Sequence, residues 1–380
     1  KVGNDYVLNN LGEAHPTHNR YEEFPIERTF SEWKMSEFGS SAIDMQGRFG
    51  GNKTNVSTCQ DCHMPDVTAN ACSIAGQVRP DMPAHLLHGS HTWVLDAIRI
   101  LDQTLDLYPL PSYLTEDEVN LAKDRNISML NRASDLELSF SGGELQTRII
   151  NQTGHKLPSG YPEGRRIWVN VQFFDAQAQL VGEFGHYDWN TAELTTDTKV
   201  YETHLGLDST MAGVTGLPEG ESFHFVINNK IYKDNRIPPR GFTNANFTSI
   251  QAAPVDSSYN DGQFWDDTLF TPPINAHSAS VKVYYQTASK DYIEFLRDEN
   301  VTNNAGQVLH DVWVATGKGA PVLIDEADID LPSNDFLRGD ANSDGAVDVT
   351  DVSKSLNVIF GLDMHATCAD ALDTNDDGSL

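Results

Sequence analysis

Hydrophobic and polar positions follow two different periods along this chain, and the change falls near residue 135. Before it, apolar residues recur at helical spacing in short bursts. Val94, Ile98, Leu101 and Leu105 form one stripe between Trp93 and Leu105, which predicts a helix there. Thr115-Glu-Asp-Glu118 reads as a capping box that opens a second helix carrying Val119, Ala122, Ile127 and Leu130. Thr29-Phe-Ser-Glu32 reads as another, starting a short helix through Trp33 and Phe38. The stretch from Gly39 to Pro83 has little periodicity. A loop that long in a compact domain needs something else to order it, and a buried cofactor would supply it.

From Leu136 onward the period becomes two. Ile167, Val169, Val171 and Phe173 alternate with Trp168, Asn170 and Gln172, Val281, Val283 and Tyr285 alternate likewise, and FHFVI at 223–227 reads as a further strand. The expected fold class is therefore α+β and mainly β. Residues 1–135 form a helical, loop-rich segment, and 136–324 form an antiparallel β-sandwich of roughly 180 residues. Residues 325–335 (DEADIDLPSND) read as an acidic linker, and 336–380 as a small helical unit.

Composition narrows the picture. The 380 residues exceed the usual size of one domain, and 39% hydrophobic content suffices for a real core. Fifty-five acids against 26 bases give a formal net charge of −29. Binding to nucleic acid or an anionic membrane needs a basic face, so neither is an expected partner. No run of 18 apolar residues occurs, so no transmembrane segment is predicted. The chain starts at Lys1 rather than Met and ends with DTNDDGSL, inside a loop pattern. It is expected to be a processed form or a piece of something longer. Of four cysteines, Cys72 and Cys368 stand outside any motif and could pair or remain thiols.

The other two cysteines carry the chemistry. CQDCHMP at 59–65 contains C-x-x-C-H. Two thiols three residues apart can add across the two vinyl groups of one porphyrin, and His63 then lies beneath the iron as an axial ligand. The alternative is zinc held by Cys59, Cys62, His63 and a fourth ligand, although no second paired ligand set follows. A six-coordinate iron needs a second axial ligand. His155, in the Gly/Pro-framed loop NQTGHKLPSG, is the first choice and His85 the second. His91 clusters with His85 in HLLHGSH, while Met64 and Met82 are also candidates.

At these residues the chain resembles the bacterial multihaem c-type cytochromes that carry a C-terminal β-domain. The similar segments are ERTFSEWKMSEFG (27–39), CQDCHMP, HLLHGSH (85–91), NQTGHKLPSGYPEGRR (151–166), DNRIPPRGF (234–242), YQTASKDYIEFLR (285–297) and TGKGAPV (316–322). The resemblance implies that the histidines of H-x-x-x-G and of TGHKLP, here His85 and His155, are distal haem ligands. Such proteins carry several haem motifs, whereas this chain has one. With His15, His18, His85, His88 and His91 within a hundred residues of one haem that can use only one of them, the expectation is that a neighbouring subunit or further chain supplies more haems.

Past the linker, Asp340, Asn342 and Asp344 occupy positions 1, 3 and 5 of a twelve-residue calcium loop, with Gly345 at the sharp turn. The Ala346 carbonyl serves position 7, Asp348 position 9 and Asp351 position 12. A second loop opens with Asp373, Asn375 and Asp377, 33 residues later. Paired loops of this EF-hand-like kind, each followed by one helix, resemble dockerin-type repeats. Dockerins that bind cohesin have Ser-Thr at positions 10 and 11. Val349 and Thr350 stand there in this chain, which points to a calcium-rigidified attachment or spacer module.

Three functions follow. One is an electron-transfer cytochrome with haem c and Ca2+, located at the cell surface, outside the cell or in the periplasm, and working with a redox partner, a neighbouring cytochrome subunit, or copies of itself in an oligomer or filament. Another is a dockerin-bearing protein that binds or degrades polysaccharide. The third is a surface protein in which haem or zinc staples the fold. Two histidines on one iron would leave no open position for a substrate, which favours a carrier over a catalyst.

Overall fold

The structure is a computed structural model that describes residues 24–25, 27–72, 76–105, 114–332, 339–342 and 347–362. The chain divides into two compact units: residues 1–171, 183–271 and 280–328 in the first, and 172–182, 272–279 and 329–380 in the second.

The fold is mixed α and β with many antiparallel strand pairs. In the N-terminal part of the first unit, helices α1 (Thr29–Met35), α2 (Glu37–Ser40), α3 (Cys59–His63), α4 (Trp93–Leu105) and α5 (Glu116–Leu130) alternate with two small antiparallel ribbons, Ile43–Asp44 with Asn55–Val56 and Asp66–Asn70 with Val78–Pro83. The α4 bounds match its apolar stripe. At α5, Thr115 caps as expected through its hydroxyl, which accepts from the Glu118 N–H.

The α1 expectation needs correction. Arg28, not Thr29, is the N-cap, and no side chain caps the helix. The Thr29 hydroxyl instead lies 2.7 Å from Ser159 Oγ and accepts from the Gly160 N–H, while Glu32 is fully buried. Tertiary partners more than a hundred residues away have taken over both side chains of the apparent box.

Sheets begin at Ser134–Ser141, which pairs with Glu144–Asn151, and that strand pairs in turn with Trp265–Phe270. Leu145, Thr147, Ile149 and Asn151 face inward along the central strand. A larger sheet orders Val200–Tyr201, Arg166–Phe174, Ser278–Gln286 and Val322–Asp330, with Leu180–Phe184 also paired to Arg166–Phe174. A three-stranded sheet has Thr203–Leu207 between Gly220–Glu221 and Lys230–Asp234. Helices α6 (Ser209–Thr215), α7 (Asn244–Ser249), α8 (Lys290–Glu299) and α9 (Ala305–Ala315) punctuate these strands, and α10 (Val349–Ile359) follows in the second unit.

Two further expectations fail. FHFVI at 223–227 is a turn, not a strand. Asn228 Nδ2 donates to the Ser222 carbonyl, Ser222 Oγ accepts from the His224 N–H, and Phe223 packs its ring against Tyr292 and Phe295. Local side-chain bonds have replaced a ladder here. The acidic stretch read as a linker is half strand, since Val322–Asp330 pairs in the large sheet. Glu326, Asp328 and Asp330 take the exposed alternate positions, so the acids are the solvent face of a strand.

Among the described residues, the first unit packs its apolar side chains in three clusters. Trp93 and Ala97 of α4 pack with Trp168, Ile293 of α8, and Val312 and Trp313 of α9. Phe242, Phe247, Ile250 and Tyr259 form another, against Met35. Phe38, Ile43, Met45, Phe49 and Val56 form the third, with Trp33, Cys62 and Met129 packed against it. Each fully buried large side chain is worth roughly 1.5–3 kcal/mol, so this last cluster can order the aperiodic segment and present Cys62 at its edge.

Candidate functional site

Local chemistry builds one wall of the site. Thr58 opens α3 with a reciprocal capping box: its hydroxyl accepts from the Asp61 N–H at 3.2 Å, and Asp61 Oδ2 accepts from the Thr58 N–H at 2.9 Å. Asp61 Oδ2 also accepts from the Ser57 N–H, and Oδ1 pairs with Lys53 Nζ. Burial would raise the Asp61 carboxyl, yet Lys53 and these N–H groups hold it below its usual range. On the helix so fixed, Cys59, Cys62 and His63 stand at spacings that share a face. Cys59 is exposed and Cys62 half-buried. Burial, with Asp61 alongside, pushes the Cys62 thiol up to about 12, an environment suited to a neutral sulfur.

His63 makes a short hydrogen bond from Nδ1 to the His88 backbone oxygen, and the His63 carbonyl accepts from the His88 N–H at 3.3 Å. Donation from Nδ1 leaves the Nε2 lone pair for a ligand. Asn126 of α5 steadies that segment by accepting from the Gly89 N–H and donating to the His91 carbonyl, each at 2.8 Å. Tyr285 closes the same stretch, its hydroxyl donating to Ser90 Oγ at 2.8 Å.

The facing wall is the loop after strand Glu144–Asn151. Asn151, wholly buried, accepts from the Thr153 N–H and hydroxyl and donates to the carbonyls of His155, Ile237 and Pro238. Gly154 lies against α1: a Cβ there would stand 3.2 Å from Trp33 Cδ1, so a larger residue needs the Trp33 ring to give by a few tenths of an ångström. His155 turns its Nδ1 to the Lys156 carbonyl at 3.0 Å. Burial lowers its proton affinity below that of a free imidazole and favours the neutral ring.

Behind His155 lies a buried ionic cluster. Lys156 Nζ lies 2.7 Å from Asp234 Oδ2, and Arg236 grips Asp234 with Nε at 2.8 Å and Nη2 at 2.7 Å. Glu32 accepts from the Lys156 N–H at 3.0 Å and from Ser159 Oγ at 3.2 Å, with Arg236 Nη2 at 3.4 Å. Burial alone would raise Asp234, but Arg236 and Lys156 hold it down at about 2. This cluster ties α1, the His155 loop and DNRIPPRGF together, three segments whose joint role no local pattern reveals.

Between the walls is a cavity of about 490 Å3, in the size range of small-molecule and cofactor sites. Cys59, Cys62, His63 and His155 all line it, with Trp33, Phe38, Phe49, Met129, Leu130 and Leu157 as apolar surface. The set could hold a flat apolar cofactor, with two sulfurs beside it and an imidazole from each wall. His85 and His91 are exposed and do not line the cavity. His15 and His18 lie outside the described residues. Among the described residues no three His, Cys, Asp or Glu side chains form a cluster able to hold a metal ion, and none of the helices is long and apolar enough to cross a membrane.

In the second unit, Asp351 accepts from the N–H groups of Asn342 at 3.1 Å and Asp348 at 2.8 Å, which hold its carboxyl below the usual range. Asp348 caps α10. Asp340 is buried. Asp344, Ala346, Asp373, Asn375, Asp377 and Cys368 lie outside the described residues.

No protein-family model and no curated protein matches this chain. Among solved structures it is similar to a penta-heme cytochrome c552 from Thermochromatium tepidum, at 14% identity and a TM-score of 0.40. The likeness covers 86% of this chain and 54% of that one, so the chain spans about half the length of that protein.

Proposed function

We propose that this protein is an extracytoplasmic c-type cytochrome that transfers electrons through one covalently attached haem. A single observation carries the reading: Cys59, Cys62 and His63 on one wall and His155 on the other line the same apolar cavity. A zinc ion needs no cavity of about 490 Å3, whereas a porphyrin does. In this reading Cys59 and Cys62 provide the thioether anchors, His63 the proximal ligand and His155 the distal one. The haem supplies reversible one-electron chemistry at its iron. The chain's own part is to aim two imidazoles, exclude water with Trp33, Phe38 and Leu157, and leave the Cys59 corner at the surface, where a partner can approach. Its exposed position makes His85 available as a ligand to a haem of a neighbouring cytochrome subunit, as a multihaem assembly requires.

The test is a denaturing gel of the full chain, made in a host with cytochrome maturation, stained for haem peroxidase activity. A stained band at the chain's mass with one haem by pyridine haemochrome is expected; an unstained band overturns the reading. The iron count of the native assembly tests the multihaem part, which predicts more than one iron per chain.

Calcium is proposed at Asp340, Asn342, Asp344, Ala346, Asp348 and Asp351, with a second ion at the loop opened by Asp373, Asn375 and Asp377. The four carboxylates of the first loop repel one another without a cation, so chelator is expected to abolish the protease resistance of 336–362. Unchanged resistance would refute this site.

A further inference from the structure

We infer that Glu32 is the positioning residue for His155, acting through the main chain of Lys156. This rests on the haem reading of the cavity, but its geometry is independent of it. The His155 ring is oriented by the Lys156 carbonyl, which faces its Nδ1 at 3.0 Å. The N–H of the same residue donates to Glu32 Oε2 at 3.0 Å, across 124 positions of sequence. Ser159, three residues further along the loop, donates its hydroxyl to that same oxygen. One carboxylate oxygen therefore grips the loop on both sides of Leu157 and sets where the ring points. Glu32 is fully buried on α1, the helix that also carries Trp33 of the cavity wall. It therefore registers ligand and wall against a common support. Lys156 Nζ is occupied separately by Asp234, so the side chain is anchored whether or not the peptide is. The Glu32 contact is the one that ties this backbone to α1, while Asn151 Nδ2 holds the His155 carbonyl and the Ile237 carbonyl holds the Leu157 N–H.

The alternative is that Glu32 is merely a counter-charge for Arg236, whose Nη2 stands 3.4 Å away. Reach and charge can be separated. Glu32→Gln keeps an oxygen at the same reach but removes the charge, while Glu32→Asp keeps the charge and withdraws the oxygen by one methylene. Both are made in the full chain, with wild type as control. The measurements are exchange of the Lys156 amide proton, the spin state of the ferric spectrum, and the rate of carbon monoxide binding to the reduced protein.

Glu32→Asp is expected to speed amide exchange and carbon monoxide binding about tenfold, the scale of one lost charge-assisted hydrogen bond, and to add a high-spin component. Glu32→Gln should stay within about twofold of wild type. Loosening in Gln, or no change in Asp, overturns the assignment. Should Glu32→Asp not accumulate, Glu32→Gln decides alone on the same criterion. If wild type carries no haem, the haem reading fails, and the amide exchange still decides the positioning role.

Discussion

The two walls of the cavity face each other, yet they are held in opposite ways. The helix bearing Cys59, Cys62 and His63 is set by contacts close in sequence: Thr58 and Asp61 cap α3, and Lys53 neutralises the cap from eight positions away. Behind the wall bearing His155 stand residues far off in sequence: Lys156 meets Asp234 across 78 positions and Glu32 across 124, and Arg236 joins Glu32 across 204. One wall is a motif and the other is a product of the fold. Damage to the first should be confined to the site, and damage to the second should spread through the unit.

The largest effect should come from the anchors. Replacing both Cys59 and Cys62 with Ala is expected to abolish haem staining entirely while leaving far-ultraviolet dichroism unchanged. His155→Ala should keep the stain and convert the spectrum from low-spin to high-spin. A low-spin spectrum that persists in His155→Ala would move the distal ligand to His85.

Next comes the buried cluster. Asp234→Ala strands Lys156 and Arg236 without their shared counter-ion, and should cost about 3–5 kcal/mol in urea unfolding. A loss below about 1 kcal/mol would show that the second wall does not depend on it.

Glu163 gives a contrasting case of similar burial with no close cation. Burial pushes it up to about 7, opposed only in part by His204 and the Asn228 amide 3.5 Å away. Its folded-state value lies above the unfolded one, so between pH 4.5 and about 7 the folded chain holds a proton the unfolded chain has lost. Stability should therefore fall by about 3 kcal/mol as pH rises through that window, then level off. Glu163→Gln should remove this slope and leave the protein the more stable of the two at pH 8. An unaltered slope would assign the effect to other groups.

The smallest effect should follow Asp61→Ala, which removes the Asp61 half of the α3 capping box and the Lys53 pair. About 1–2 kcal/mol is expected, with amide exchange quickening around residues 57–63 and not around 153–160. Equal quickening in both stretches would break the contrast between the walls.

Legibility in the sequence follows the same divide. C-x-x-C-H, the α4 stripe and the Thr115 cap were readable because each is completed within a few residues. Thr29 and Glu32 carried the right pattern for a cap, but tertiary partners claimed both side chains. FHFVI has strand composition, yet Ser222 and Asn228 close it into a turn. Helix α8 was missed, though Ser289 is an ordinary N-cap accepting from the Tyr292 N–H, because its apolar residues followed a strand without a break. Lys156, Asp234 and Arg236 sat in segments marked by resemblance alone, and nothing local foretold that they meet.

The distance along the chain between the walls also sets an order of assembly. The capped helix α3 itself needs contacts of only a few residues and can form on the timescale of a helix turn, ahead of the His88 segment that backs it. The His155 wall must wait for strand Glu144–Asn151 and for Glu32, 124 positions from Lys156, and closing loops of that size is slow. For that interval the cavity is a half-shell, open on the side where His155 will arrive. A flat apolar molecule can be laid against the first wall during it and enclosed afterwards. Closure then follows the entry of the molecule, and the second wall, held by its own hydrogen bonds and ion pairs, completes the cavity around it.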